Sequence, residues 1–345
     1  MFGHPEFDNH ETVVFSRDRE AGLTAIIAVH STDLGPGFGG SRMWPCENED
    51  LALRDVLRLS RGMTYKAAIC ELPYGGGKSV IIDDAKVAKT PAMLRAVGRL
   101  VEGLGGRYII ADDVGTSLAD LAVMREVTKH TAAATAAAKE PLAVTAYGVW
   151  QALQAAVGAV LDRGDLAGLG VAVQGLGNVG LHLCRYLHEQ GAQLTVCDVD
   201  PDRLAMARRQ FSPIIVPPEE IYDREVDVFA PCAFGAILND RTIPRLRARI
   251  ICGGANNQLL AREHGGALAA LGIVYVPDYL ANAGGVIDFH METIDDSAGA
   301  VLGAVERIGG ITAETLTRAR VEGETPLSIA DRLVRRRLEN ARSTT

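Results

Sequence analysis

Aromatic side chains make up only 5% of this 345-residue chain, and just two are tryptophan. Aliphatic residues and alanine must therefore carry the core. Basic residues are outnumbered, 35 to 43 acidic, for a formal charge of −8. Nucleic-acid surfaces normally show a basic excess. The one basic concentration, Arg335, Arg336 and Arg337, is interrupted by Asp331 and Glu339 and reads as a solvated helix face. No nucleic-acid partner is expected. The six cysteines (Cys46, Cys70, Cys184, Cys197, Cys232, Cys252) form no C-x-x-C pair, so neither a metal site nor a disulfide framework is indicated. Cys184, Cys197 and Cys252 sit in apolar runs, where a reduced buried thiol is the default. The opening residues lack the basic stretch and apolar core of a secretory signal. No apolar run approaches the roughly 20 residues that cross a bilayer. A cytoplasmic protein without a membrane partner is expected.

Glycine, by contrast, is abundant at 37 residues, and the balance of 48% apolar to 23% charged residues is that of a folded chain. The length calls for two cores. In the first third, TVVFS (12–16), TAIIAVH (24–30), SVIID (79–83) and RYIIA (107–111) read as strands. A helix is expected over about 50–63, ahead of a glycine-rich loop at 75–77, and Pro91 can open another. The alanine-rich stretch 131–143 reads as a domain junction, followed by a long helix over 145–161. Beyond it, six short apolar runs recur at 171–174, 194–197, 214–216, 227–230, 249–252 and 273–276. Continuous apolar strands alternating with helices indicate a parallel sheet covered on both faces, and six strands match a complete dinucleotide fold. Two helices broken near Gly323 and Pro326 close the chain. The expected fold is α/β in two domains. An N-terminal α/β substrate and oligomerisation domain spans 1–140, with 310–345 available to pack back on it. A Rossmann-type doubly wound domain spans 145–300.

The sharpest local signal is VAVQGLGNVG, with Gly175-Leu176-Gly177-Asn178-Val179-Gly180 as a G-x-G-x-x-G turn. Alone the motif is weak; here a strand precedes it, a helix follows, and the next strand ends in Asp198. Gly175 makes the tight turn, Gly177 lets a pyrophosphate approach the backbone, and Gly180 lets helix and strand pack closely. The helix N-terminus offers free N–H groups to the phosphates. Asp198, 18 residues on, can accept from both ribose hydroxyls and would repel a 2′-phosphate. NAD is the expected cofactor.

Three clusters in the first domain carry potential chemistry: GFGGSRMW (37–44), MTYKAAICELPYGGGKSV (63–80) and IIADDVGTS (109–117). A lysine such as Lys78, placed on a glycine-rich loop at a strand's start, can point into a cleft. There burial or a neighbouring cation would favour its neutral, basic form, and a second lysine could supply that cation while holding a carboxylate. A single lysine is more often a solvated ammonium. Asp113 stands where either a functional carboxylate or a helix cap would fit. The glycines at 75–77 also allow a phosphate cradle, although the P-loop pattern is missing.

These motifs, with VTAYGVW, FAPCAFGAILND, GGANNQL and PDYLANAGGVI in the same order, resemble those of the leucine, valine and phenylalanine dehydrogenases and, more distantly, glutamate dehydrogenase. The resemblance runs from about Glu11 to Arg342 and is especially leucine-dehydrogenase-like over GLTAIIAVHSTDLGPGFGG. It implies reversible oxidative deamination of an L-amino acid to the 2-oxo acid, ammonium and NADH, in a homo-oligomer. It further implies that Lys66 binds the substrate carboxylate with Gly40 lining that site, that Lys78 is the catalytic base, and that Asp113 exchanges protons with the substrate amine. Thr145, Asn256, Asn257 and Asn282 match positions near the nicotinamide or the amine. Domain closure over the substrate is expected, with hinges near 131–145 and 285–300.

Departures from the family pattern are the segment KEPLAV ahead of Thr145 and VIDFHMETIDDSAGA after Gly285, whose His290 reads as a helix-surface residue. Ala111 and Val286 match aliphatic-selective members, while Phe38 can narrow the pocket or stack on an aromatic substrate. Branched aliphatic substrates are expected. The alternatives are aromatic amino acids (Phe or Trp), a hydroxy-acid oxidoreductase, and a non-catalytic NAD-sensing protein.

Overall fold

The computed structural model describes residues 2–83, 89–132, 141–294 and 297–343. The chain divides into two units, Met1–Ala137 with Val334–Thr345, and Ala138–Leu333. Residues 133–140 of the expected junction, and 295–296 of the second expected hinge, lie outside the described residues.

Unit 1 is built on β1 (Thr12–Asp18), β2 (Leu23–Ser31), β3 (Gly37–Trp44), β4 (Gly75–Ile82) and β5 (Tyr108–Asp112), with helices α1 (Glu49–Ile69), α2 (Pro91–Glu102) and α3 (Leu118–Met124). The sheet order is β1-β2-β4-β3-β5. The β1–β2 and β2–β4 pairs are antiparallel, whereas β4–β3 and β3–β5 are parallel. Local signals set the helix ends. Asn48 caps α1 by accepting from the Leu51 N–H, Thr90 caps α2 ahead of Pro91, and Ser117 with Asp120 forms a capping box on α3. Strand β2 is buried on both faces. Leu23, Ala25, Ile27 and Val29 pack with Met43 and Ile81 against Met93, Val97 and Val101 of α2 and Leu121 of α3. Ile26, Ala28 and Val80 face Ala52, Val56 and Leu57 of α1. Each such side chain contributes about 1.5–3 kcal/mol on burial.

Two expectations need correction here. The glycine run 75–77 is the first part of β4, not a loop. A Cβ on Gly75 would sit 1.8 Å from the Ser31 carbonyl oxygen, on Gly76 2.2 Å from that of Ser60, and on Gly77 2.3 Å from the Tyr108 ring. These glycines bring strand and helix backbones into contact. Packed on both sides, they form no phosphate cradle.

Unit 2 opens with α4 (Pro141–Leu161). The parallel sheet follows: β6 (Gly170–Gln174), α5 (Asn178–Glu189), β7 (Gln193–Cys197), α6 (Pro201–Phe211), β8 (Ile214–Ile215), β9 (Val228–Pro231), β10 (Ile250–Ile251), α7 (His264–Ala270) and β11 (Val274–Tyr275). The end comprises α8 (Asp278–Ala281), α9 (Gly284–Glu292), α10 (Ala298–Glu322) and α11 (Pro326–Arg342). The order β11-β10-β9-β6-β7-β8 is that of a doubly wound dinucleotide sheet, with the strand order reversing between β6 and β9. The six apolar runs coincide with the six strands. The stretch between β9 and β10 has only a short 3₁₀ turn, Ile243–Arg245. Gly323, at φ 69°, ends α10, and Pro326 starts α11, of which residues 334–342 belong to unit 1. The expectation that no apolar run nears bilayer length is amended at α4. Its Val144–Leu161 is long and apolar enough by composition. It is a core helix: Ala146, Val149, Ala152, Leu153, Ala156 and Val157 are buried, and α5, α9 and α10 pack on it.

Unit 1 also carries an acid-sensitive pair. His10 and His30 stack edge-on at 4.8 Å, with the His10 ring nitrogen 3.0 Å from the Leu57 carbonyl and that of His30 2.8 Å from Thr64 Oγ1. Burial, helped by neighbouring His10, lowers the His30 pKa to about 3. The unfolded chain then binds the extra proton below pH 6.5 and the folded chain does not, so stability falls as pH drops from 6.5 towards 3. Between pH 6.5 and 5 the loss should reach about 2 kcal/mol for this one group. Denaturant melts across that range, compared with H30N, check it; an unaltered slope in the variant would refute it.

Candidate functional site

On the α1 side of the unit 1 sheet, alternation places Gly76, Lys78 and Val80 of β4 beside Phe38, Gly40 and Arg42 of β3. The β3–β4 pairing keeps a constant offset, which sets Gly40 opposite Lys78, and β5 sets Ala111 opposite Gly40. Lys78 is 5% exposed, and its Nζ lies 2.6 Å from Asp113 Oδ2. A Cβ on Gly40 would stand 2.7 Å from the Asp113 Cβ and 2.5 Å from the Asp112 carbonyl oxygen. The bare glycine therefore leaves the space that Lys78 and Asp113 share.

Asp113 follows β5 in a tight turn. Gly115 adopts φ 81°, the Thr116 N–H donates to the Asp113 carbonyl, and the Thr116 hydroxyl donates to the Ser41 carbonyl. The cap of α3 is Ser117, so Asp113 is not a helix cap. Burial acts to raise the Asp113 pKa, yet the Lys78 and Arg42 charges outweigh it and hold the carboxyl far below its ordinary range. Lys66, 9% exposed, stands in the last turn of α1, the helix packed on β4. Phe38 is buried with its ring 5.8 Å from that of Tyr74, and Ala111 is half-buried.

In unit 2 the glycine turn has the form its spacing predicts. Gly175 takes φ 94°, and a Cβ on Gly180 would fall 1.9 Å from the Gly175 carbonyl oxygen. Gly177, at the N-terminus of α5, faces open space; the nearest atom to a Cβ there is the tip of Arg203, 3.6 Å away. Asp198 accepts from the Leu176 N–H at 2.5 Å and the Asp200 N–H at 2.8 Å, which fixes the carboxylate under the turn. Asn178 and Val179 form the first turn of α5. Open backbone, a helix N-terminus and a fixed carboxylate fit the adenosine and phosphate groups of a dinucleotide.

A second group gathers around Asn282, 4% exposed, whose amide donates to Asn256 Oδ1 at 2.9 Å and the Gly254 carbonyl at 3.1 Å. Its own Oδ1 is buried with no hydrogen-bond partner among the described residues, an acceptor left open at this site. Asn257 adopts φ 53° in the same loop. Thr145 reaches the start of α9, where a Cβ on Gly285 would lie 3.1 Å from its Oγ1, and Val286 is buried one residue on. His290, in the same helix, is half-buried.

The family profile for the Glu/Leu/Phe/Val dehydrogenase dimerisation domain matches residues 10–130. That for glutamate/leucine/phenylalanine/valine dehydrogenase matches 138–201 and 204–308. Leucine dehydrogenase of Bacillus subtilis strain 168 is 44% identical over 345 residues, covering 99% of this chain and 95% of that one. This chain belongs to the Glu/Leu/Phe/Val dehydrogenase family. It is an amino-acid dehydrogenase, an oxidoreductase of a family that works with nicotinamide dinucleotides. L-tryptophan dehydrogenase of Nostoc punctiforme is 44% identical over 334 residues, covering 96% and 94%. A crystal structure of the Nostoc punctiforme enzyme superposes with a TM-score of 0.79 at 43% identity, over 97% of each chain.

Of this dehydrogenase's expected site residues, unit 1 brings Lys78, Asp113 and Gly40 together, and Lys66 lies on the adjoining helix. Unit 2 joins the glycine turn to Asp198, and Asn282 to Asn256. Arg42 was not anticipated. Its Nε donates to Asp113 Oδ2 at 3.3 Å and its Nη1 to Asp55 Oδ2 at 3.0 Å. A lone arginine in a strand and an aspartate 13 residues later carry no spacing that announces a pair.

Proposed function

We propose that the chain catalyses the reversible reaction L-amino acid + NAD⁺ + water → 2-oxo acid + ammonium + NADH + H⁺ on branched aliphatic substrates: leucine, valine or isoleucine. The 2.6 Å Lys78–Asp113 pair beside bare Gly40 carries this reading. Lys66 binds the substrate carboxylate, with Gly40 lining its path. Asp113 exchanges a proton with the substrate amine. When bound, the nicotinamide supplies the acceptor for the hydride leaving the α-carbon. The resulting iminium is cationic, so Lys78 must act as a neutral amine, taking a proton from the water that attacks it. Thr145, Asn256, Asn257 and Asn282 hold the nicotinamide or the amine, and the orphaned Asn282 oxygen is the acceptor such a donor needs.

Gly175, Leu176, Gly177, Asn178, Val179 and Gly180 receive the phosphates. Asp198 selects NAD, since its carboxylate would repel a 2′-phosphate. Phe38, Ala111 and Val286 are assigned to the substrate side chain. Self-association through unit 1 is supported by its match to a dimerisation domain. A cytoplasmic setting is supported by six free thiols.

A panel of L-amino acids with NAD and NADP, followed by nicotinamide absorbance, tests the reading. Leucine, valine or isoleucine should exceed phenylalanine and tryptophan in kcat/KM by about tenfold or more, a margin of one or two methylene contacts. Preference for an aromatic substrate would instead favour stacking at the Phe38–Tyr74 pair. Turnover of hydroxy acids alone, or dinucleotide binding with no turnover, would overturn the assignment.

A further inference from the structure

We propose that Arg42 is a positioning residue for the Lys78–Asp113 pair, sharing one Asp113 oxygen with the Lys78 amine under the control of Asp55. The proposal rests on Lys78 acting as the base. Lys78 Nζ and Arg42 Nε both approach Asp113 Oδ2, at 2.6 and 3.3 Å. A carboxylate oxygen divided between two cations attracts each less than it would attract one alone. Arg42 thereby does what a second lysine could have done: it makes the protonated form of its neighbour less favourable. Asp55, at 3.0 Å on the far side of the guanidinium, neutralises part of that influence.

The four groups Lys78, Arg42, Asp113 and Asp55 sum to zero charge. Removing Arg42 takes that sum to −1, and removing the Asp55 charge takes it to +1. The two changes must therefore push the amine's proton in opposite directions. General damage to the site would push neither. Among the described residues, the other charged or titratable groups of the surrounding segments include Lys66 on α1, Tyr108 and Asp112 on β5, and Cys46 beyond β3. Neither substitution replaces any of them, and of these the Cys46 thiol is itself coupled to both Arg42 and Asp55. Arg42 also fixes Asp113 in place, since its second bond ties the turn after β5 to α1.

The test is the pH profile of kcat/KM for deamination by the full-length enzyme and its R42M, R42K and D55N variants. The acidic limb should move up by about one pH unit in R42M and down by about one in D55N, and R42K should restore most of the wild-type position. Well below the limb, R42M should then retain about one-tenth of the wild-type rate, each profile scaled to its own plateau. A limb unmoved in both, or moved the same way in both, overturns the proposal. If R42M does not fold, D55N decides: a limb that fails to move down refutes the role of Arg42. K78A separates the two readings. Full activity in K78A would remove the base itself, whereas an inactive K78A beside unmoved limbs would sink only the Arg42 proposal.

Discussion

Replacing Lys78 with alanine should lower kcat for deamination by about 10³-fold while leaving the fold in place. General acid–base residues contribute about 10²–10⁴-fold, and this amine would take the proton from the attacking water. Stability should survive for a reason visible in the site. Asp113 keeps Arg42 as a partner, so its carboxylate is not left buried and unpaired, the state that makes single deletions from ion pairs costly. Strand β4 keeps its backbone pairing on both sides. D113N should also lose activity heavily, because the amide cannot exchange the substrate amine's proton. Steady-state kinetics beside a thermal melt decide the matter. A K78A enzyme within tenfold of wild-type kcat would end the case for Lys78 as base. A defect confined to KM would reassign it to substrate binding.

What the sequence discloses depends on how far apart the partners are. The dinucleotide sheet is legible because each buried parallel strand is a continuous apolar run, and because the glycine turn and Asp198 follow one another within a single βαβ unit. Gly323 and Pro326 mark a helix end and a helix start for equally local reasons. Unit 1 hides two strands in glycine. GFGGSRMW and the start of GGGKSVII lack the apolar signature of a strand, since their task is to let backbones touch, and Gly75–Gly77 consequently read as a loop. Arg42 is invisible for another reason. Its meaning lies in Asp55 and Asp113, 13 and 71 residues away, which only the sheet register and α1 bring beside it. The roles proposed for Lys66 and Asn282 rest on family motifs; the burial of both side chains, and an Asn282 oxygen without a partner among the described residues, are properties of the folded chain.

Two alanine substitutions within the glycine turn should separate packing from binding. At Gly180 an added Cβ would meet the Gly175 carbonyl at 1.9 Å, a backbone atom that cannot step aside. Helix α5 must then lift from β6, and G180A should lose about 2 kcal/mol of stability as an overpacked contact. At Gly177 the φ of −63° suits alanine, and among the described residues an added Cβ would come within 4 Å only of the flexible Arg203 tip, at 3.6 Å. G177A should melt with the wild type. Its methyl nevertheless occupies the face on which the pyrophosphate is to lie, so NADH binding should weaken by about tenfold or more. Thermal melts without dinucleotide, set beside NADH titrations followed by fluorescence, read the two effects independently. Should G177A bind NADH as tightly as the wild type, the phosphates do not rest on this turn, and the assignment of Gly175 to Gly180 falls with it.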